Sequence, residues 1–113
     1  MHELHITESL LKTALEQARA ANASKVLRLN IALGDGSGYT EDSIRFYFDM
    51  LRKDSLAAEA DITFRHIGTQ MRCRDCGATS SAQDPTWVCP QCHSMRGELL
   101  CGGECYLESI EVE

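Results

Sequence analysis

Two pairs of cysteines are the residues whose types and spacing most directly specify a chemistry. Each pair is a Cys-x-x-Cys motif, and twelve residues separate Cys73 and Cys76 from Cys89 and Cys92. Two such turns can direct four sulfurs at one ion in a tetrahedron, as in structural zinc sites. A thioredoxin-like dithiol would instead need a single motif opening a helix after a strand. The spacing predicts a closed Zn(II) site that stabilises its own segment and leaves no open position for catalysis.

A second potential metal site lies at the start of the chain, at Met1, His2 and Glu3. Methionine aminopeptidase acts before small residues, so we expect the large His2 to preserve Met1 and its free amine. That amine, the His2 amide and the His2 ring nitrogen can form fused chelate rings, a planar set suited to Ni(II) or Cu(II). Glu3 would add an oxygen ligand or orient the imidazole. The alternative is that His2 is an ordinary surface residue.

The remaining histidines and cysteines have less specific positions. His5 is three residues after His2, so it is either an auxiliary ligand on the same helix face or a solvated residue. His66 lies in an alternating segment, which favours a hydrogen-bonded, partly buried histidine. His93 is either an exposed residue or a metal ligand, which would compete with a thiolate for zinc or reach a second metal. Cys101 and Cys105 fit free reduced thiols, with a clamp for a soft metal or a redox-sensitive pair as the alternatives.

Hydrophobic periodicity predicts the elements that position these residues. Residues 4–21 have helical spacing, with Asn22 as a stop, and residues 25–33 alternate as a strand. Thr40 is expected to cap a second helix that runs to about residue 53. Residues 61–67 and 104–113 alternate again and predict two further strands. The predicted fold class is α/β, with two helices on a small, mixed three-stranded sheet.

The segment between the last two predicted strands differs in composition from the rest of the chain. It is rich in Cys, Arg, Asp, Ser and Pro and has few apolar residues to bury. This composition predicts an inserted zinc-ribbon-like lobe. We expect the two strands that flank it to pair antiparallel in one sheet. The predicted domains are residues 1–68 with 98–113, which form the α/β domain, and residues 69–97, which bind zinc.

The length and composition of the chain exclude several classes of protein. The 113 residues suit one compact domain with a satellite, and the net charge of −6 argues against a nucleic-acid-binding surface. The sequence has neither a membrane-length apolar run nor a signal peptide, so we expect a cytoplasmic protein that does not bind a membrane. Two other hypotheses stay open from the residues alone. They are a zinc-ribbon accessory protein that binds a protein or nucleic acid, and a thiol redox protein that uses Cys101 and Cys105.

Several segments together resemble the HypA/HybF family nearly from end to end. They are Met-His-Glu-Leu at residues 1–4, Glu-Ser-Leu at 8–10, the predicted strand at 61–67, the two Cys-x-x-Cys motifs and Leu-Glu-Ser-Ile-Glu-Val at 107–112. The resemblance implies a nickel metallochaperone for maturation of [NiFe]-hydrogenase and, in some bacteria, of urease. It also implies a nickel-binding α/β domain joined to a zinc domain, and no enzymatic activity.

The resemblance also implies ligands and partners. The family's nickel site corresponds to Met1, His2 and Glu3, and its zinc ligands correspond to the four cysteines of the two motifs. The implied partners are a HypB-type GTPase, the hydrogenase large subunit and urease accessory proteins. His5 and the pair Cys101 and Cys105 depart from the usual pattern of the family.

Overall fold

The computed structural model of the chain describes residues 2–82 and 87–113, with side chains from Glu3 onward. Two helices and six strands follow one another along the sequence. They are α1 (His2–Ala20), β1 (Val26–Gly34), α2 (Glu41–Leu51), β2 (Asp61–Ile67), β3 (Thr69–Cys73), β4 (Thr79–Ala82), β5 (Gly97–Cys101) and β6 (Cys105–Val112). No helix among these residues combines the length and the apolar character needed to cross a bilayer.

Helix α1 packs one side on the sheet and ends where the sequence predicts. Its buried residues Leu10, Ala14 and Ala18 recur at helical spacing. Asn22 adopts a φ of 55°, and the N–H of Ala23 donates to the carbonyl of Ala18 across 2.9 Å. This is the hydrogen bond of a Schellman ending, in which Asn tolerates the left-handed conformation. The predicted stop at Asn22 is confirmed.

Helix α2 begins at the predicted cap. The hydroxyl of Thr40 accepts a hydrogen bond from the N–H of Ser43 at 3.1 Å, which satisfies one of the free donors of the first turn. Ile44 and Phe48, one turn apart, are fully buried against the sheet. The opposite side of the helix exposes Phe46 and Met50. An amphipathic helix therefore covers the sheet beside α1.

The first sheet has the strand order β2-β1-β6, with β1 parallel to β2 and antiparallel to β6. The expectation that the two strands flanking the insert pair with each other is wrong, because β1 lies between them. β1 is the most buried strand, and Leu29, Ile31 and Leu33 point into the core. Its burial favours the central position, and α2 supplies the crossover that a parallel pair needs. The α/β class, the mixed three-stranded sheet and the two helices are confirmed.

A second, antiparallel sheet with the order β4-β3-β5 holds the cysteine motifs. We call residues 69–101 the cysteine lobe, and the rest of the folded chain the α/β lobe. Trp87 covers this sheet: a Cβ at Gly97 would lie 2.6 Å from the indole ring, and the indole N–H donates to the Ser80 hydroxyl at 3.0 Å. The division into domains at residues 69–97 stays a prediction. Strand β5, which pairs with β3, continues four residues beyond it.

The junction between the lobes is a close approach of backbones. The N–H of Gly34 donates to the carbonyl of Glu104, and the N–H of Gly36 donates to that of Gly102, both across 2.7 Å. A Cβ at Gly34 would lie 2.1 Å from the carbonyl oxygen of Gly102, a distance no side chain tolerates. Gly102 itself has a φ of 100°, and a Cβ there would lie 2.6 Å from the Cα of Thr69, the first residue of the cysteine lobe. Glycine is therefore required where the two lobes meet.

Candidate metal centres

The four cysteine sulfurs converge at one end of the cysteine lobe. The Sγ atoms of Cys73 and Cys92 are 3.5 Å apart, those of Cys76 and Cys89 are 3.6 Å apart, and all four lie within 4.8 Å of one another. Four Zn–S bonds of about 2.3 Å in a tetrahedron would separate the sulfurs by roughly 3.8 Å. The cluster therefore fits a tetrahedral thiolate-bound ion of the size of zinc.

Both motifs form the same turn. The N–H of Cys73 donates to the carbonyl of Ala78 and the N–H of Gly77 to that of Cys73, at 2.8 and 2.9 Å. The second turn repeats this pattern, from Cys89 to Ser94 at 2.8 Å and from His93 to Cys89 at 3.0 Å. In each turn, the residue after the second cysteine has a positive φ, which is 78° for Gly77 and 62° for His93. His93 thus occupies a backbone position that Gly77 fills at less cost.

The first cysteine of each motif is buried and the second is exposed. The backbone N–H of Cys76 is the main cause that lowers the pKa of Cys73, to about 6. The pKa of Cys92 is raised to about 12: the N–H of Ser94 opposes the rise, but the hydrogen bond to Cys73, burial and the other cysteines outweigh it. Four thiolates this close repel one another, so ionising all of them needs a bound cation. The donor set thus suits a divalent metal.

A polar link joins the two turns, and sequence reasoning missed it. The carboxylate of Asp75 accepts hydrogen bonds from the hydroxyl of Ser94 and from the guanidinium of Arg96, the latter at 3.0 Å. In return, the N–H of Arg74 donates to the carbonyl of Arg96 at 2.7 Å. An acidic residue between the cysteines of one motif and a serine beyond the other was the available signal. These contacts hold the turns together around the cluster.

The predicted terminal site is only partly within the described residues. Met1 and the side chain of His2 lie outside them. Glu3 is half-buried in the first turn of α1, and its carbonyl accepts a hydrogen bond from the hydroxyl of the buried Thr7. His5 is exposed. The described residues therefore supply the helix that carries the predicted ligands.

Of the other singled-out residues, Cys101, Cys105 and His66 lie outside the cysteine cluster, whereas His93 directly follows Cys92. Cys101 ends β5 and Cys105 begins β6, so they belong to different sheets. Burial raises the pKa of Cys105, which is opposite to the change that makes a thiol reactive. His93 is exposed, as one of the two interpretations expects. His66 is hydrogen-bonded but half-exposed at the end of β2, where two carboxylates contact its ring.

Comparisons with known proteins agree with this architecture. Residues 1–112 match the family described as hydrogenase/urease nickel incorporation, metallochaperone, hypA. The chain is 42% identical to the hydrogenase maturation factor HypA of Dehalococcoides mccartyi over 113 residues, which are 100% of this chain and 95% of that protein. It is 35% identical to the factor of the same name from Caldanaerobacter subterraneus over 115 residues, which cover 100% of both chains.

Solved structures give the same result for the fold. The solution structure of the Ni metallochaperone HypA from Helicobacter pylori has a TM-score of 0.68 at 24% identity, with 97% of this chain and 96% of that chain covered. A second solution structure of a HypA protein has a TM-score of 0.72 at 26% identity, with 100% and 97% covered. By family model, by relatives and by its four-cysteine metal-binding lobe, this chain belongs to the HypA family of hydrogenase and urease nickel incorporation metallochaperones.

Proposed function

We propose that this protein binds Ni(II) at its N-terminus and delivers it during maturation of [NiFe]-hydrogenase or urease. The terminal amine of Met1, together with the amide and ring nitrogens of His2, forms the ligand set, and Glu3 supplies an oxygen ligand or orients the imidazole. The protein carries the ion and does not catalyse a reaction. This function agrees with the family's description as nickel incorporation metallochaperones.

One structural observation carries the terminal site: α1 begins at His2. The first N–H groups of a helix have no acceptor within it, so the amide of His2 can become a metal ligand without the loss of a helical hydrogen bond. The rest of α1 is anchored by Leu10, Ala14 and Ala18 in the core. The proposed chelate therefore belongs to the start of a helix whose later turns are fixed by the core.

The proposed chelate also releases its ion easily. The amine has a reference pKa of about 7.7–8.0 and the imidazole about 6.5, so protons compete with nickel as pH falls. We therefore expect transfer to a HypB-type GTPase and the hydrogenase large subunit, or to urease accessory proteins, in the cytoplasm.

Zn(II) is the proposed occupant of the cysteine cluster, with Cys73, Cys76, Cys89 and Cys92 as its ligands. Four thiolates close the coordination sphere, so this ion stabilises the lobe and takes no part in nickel exchange. The zinc-ribbon nucleic-acid alternative has little support from the surface. Two of the lobe's arginines are paired with acids, Arg72 with Glu98 and Arg96 with Asp75. The redox alternative is disfavoured by the raised pKa of Cys105.

Nickel titration of the untagged full-length chain by calorimetry tests the terminal site. We expect His2→Ala to weaken Ni(II) binding at least about tenfold, since a ring ligand is lost. Two residues added before Met1 should have a similar effect because they remove the amine. His5→Ala is the matched control, an exposed histidine in the same helix, and should change little. Unchanged affinity in both His2→Ala and the extended chain would refute the proposal.

A further inference from the structure

His66 is held between two carboxylates at the end of β2. Its Nδ1 atom is 3.2 Å from Oδ1 of Asp35, in the loop after β1. Its Nε2 atom is hydrogen-bonded to Oε2 of Glu41, in the first turn of α2. The ring, Asp35 and Glu41 thus come from three different parts of the α/β lobe. About half of the His66 side chain and about two fifths of the Glu41 side chain are accessible to water.

The contacts decide which ring atoms carry protons. An ionised carboxylate only accepts hydrogen bonds, so a ring that bonds to one on each side donates from both nitrogens. His66 is therefore an imidazolium in this arrangement. Consistent with this, the hydrogen bonds to Glu41 and then to Asp35 raise the pKa of His66. The hydrogen on Nε2 occupies a place that a metal ion could take.

The contact between Nδ1 and Asp35 is one that metal-binding histidines also make. Such histidines commonly donate their second ring N–H to a carboxylate, which fixes the ring and makes the free nitrogen a better ligand. Asp35 plays this part for Nδ1, and the Nε2 lone pair would face Glu41. An ion with bonds of about 2.1 Å to a nitrogen and an oxygen at right angles would separate those two atoms by roughly 3.0 Å. Because the ion would take the place of the hydrogen on Nε2, the Glu41 oxygen would move aside by roughly 2 Å, a distance that rotation of its accessible side chain can supply.

The topology puts this group at the end of the fold where α1 starts. Because β1 and β2 are parallel and joined by α2, α2 begins at the carboxyl ends of both strands. The end of α1 leads within five residues into the start of β1, so α1 begins near the opposite end of that strand. The first turns of α1 and α2 thus lie at the same end of the α/β lobe as the carboxyl ends of β1 and β2. Ligands commonly bind at the carboxyl ends of parallel strands.

We infer that His66 and Glu41, with Asp35 orienting the ring, form a second and weaker Ni(II) site beside the terminal one. Water fills the remaining positions of the ion, since both side chains are accessible. The guanidinium of Arg45 lies 3.9 Å from the other oxygen of Glu41, Oε1. The identity of the ion rests on the proposed function, whereas the site rests on the contacts of His66.

Binding at this site exchanges a proton for the metal. Nickel takes the lone pair of Nε2, and the hydrogen that Nε2 carried passes to the solvent as one proton per ion. Asp35 keeps its hydrogen bond to Nδ1. The charged groups around the ring are Asp35, Glu41 and, through Glu41, Arg45. Nickel binding should therefore weaken as pH falls, because imidazolium formation competes with it.

Calorimetry with NiCl₂ on the zinc-loaded full-length chain separates this site from the terminal one. In the His2→Ala background we expect a weak binding event to remain, and its heat should depend on the buffer because a proton is released. Adding His66→Asn should weaken that event at least about tenfold, since the lone-pair ligand is lost. Glu41→Gln should also weaken it, and this variant keeps the test valid if His66→Asn does not fold. His5→Asn in the same background is the control and should stay within about twofold.

Three results would overturn the second site. They are no residual nickel binding in His2→Ala at millimolar nickel, equal residual binding with and without His66, and an equal loss in the His5→Asn control. Each is distinguishable from failure of the terminal site, which would appear as unchanged tight binding in His2→Ala alone.

Discussion

The two lobes of this protein are stabilised by different physics. The α/β lobe buries large apolar side chains, with Phe48, Leu29, Ile31 and Ile44 almost fully inaccessible to water. In the described part of the cysteine lobe, the only buried side chains are Cys73 and Cys89. Burial of one large apolar side chain contributes about 1.5–3 kcal/mol, whereas a structural zinc ion contributes about 10–16 kcal/mol in zinc-finger peptides. Metal coordination thus substitutes for a core that the second lobe lacks.

The largest expected effect comes from removal of the metal. Chelation of the metal, or Cys76→Ser, should unfold the cysteine lobe, residues 69–101. The α/β lobe should stay folded, because it alone has an apolar core of its own. Amide exchange should lose protection in β3, β4 and β5 and keep it in α1, α2 and β1. Metal analysis should find about one zinc per chain in the native protein and less in the variant.

The matched control for that experiment is Cys101→Ser. This cysteine lies outside the sulfur cluster, so its replacement should leave the zinc content and the exchange pattern unchanged. Uniform loss of protection over both lobes after chelation would contradict the division of stability described above.

Phe48→Ala is expected to destabilise the α/β lobe and to leave the cysteine lobe folded. It removes a fully buried aromatic side chain from the α/β core, which typically costs about 3–5 kcal/mol. Denaturant unfolding followed by helical circular dichroism should report that loss, while zinc stays bound to the cysteine lobe. Phe46→Ala, in the same helix but 61% exposed, should change the free energy of unfolding by less than about 0.5 kcal/mol. Equal effects of the two substitutions would mean that the core assignment is wrong.

Gly77→Ala should have the smallest effect and act only on the cysteine lobe. A Cβ there meets no atom within 4 Å, so the cost is the positive φ of 78°, roughly 1–2 kcal/mol. Competition with a zinc chelator should therefore show about a fivefold to thirtyfold weaker zinc affinity. Gly68→Ala, which also has free space and lacks a positive φ, is the control. Equal zinc affinities in the two variants would show that turn strain is not transmitted to the metal.

Sequence patterns predicted local features, such as helix ends and motif spacing, better than they predicted which strands pair. The cap at Thr40, the stop at Asn22 and the spacing of the cysteine motifs all depend on residues a few positions apart, so each was predictable from the sequence. Strands β3, β4 and β5 were missed because they bury almost no apolar residues and hence lack a clear alternation. The pairing of β1 with both β2 and β6 was missed because periodicity marks a strand but does not specify its neighbour.

The amino-acid sequence by itself determined the chemistry of the ligands and the local elements that carry them. It placed two pairs of thiols at metal-binding spacing, whereas the nickel site at Met1, His2 and Glu3 comes from the resemblance and stays a prediction. Only the tertiary structure decided that β1 is central, that glycine backbones join the lobes and that His66 lies between Asp35 and Glu41. The reason is physical: ligand type and helical period are local properties, whereas contacts between residues 25 or more positions apart depend on how the whole chain buries its core.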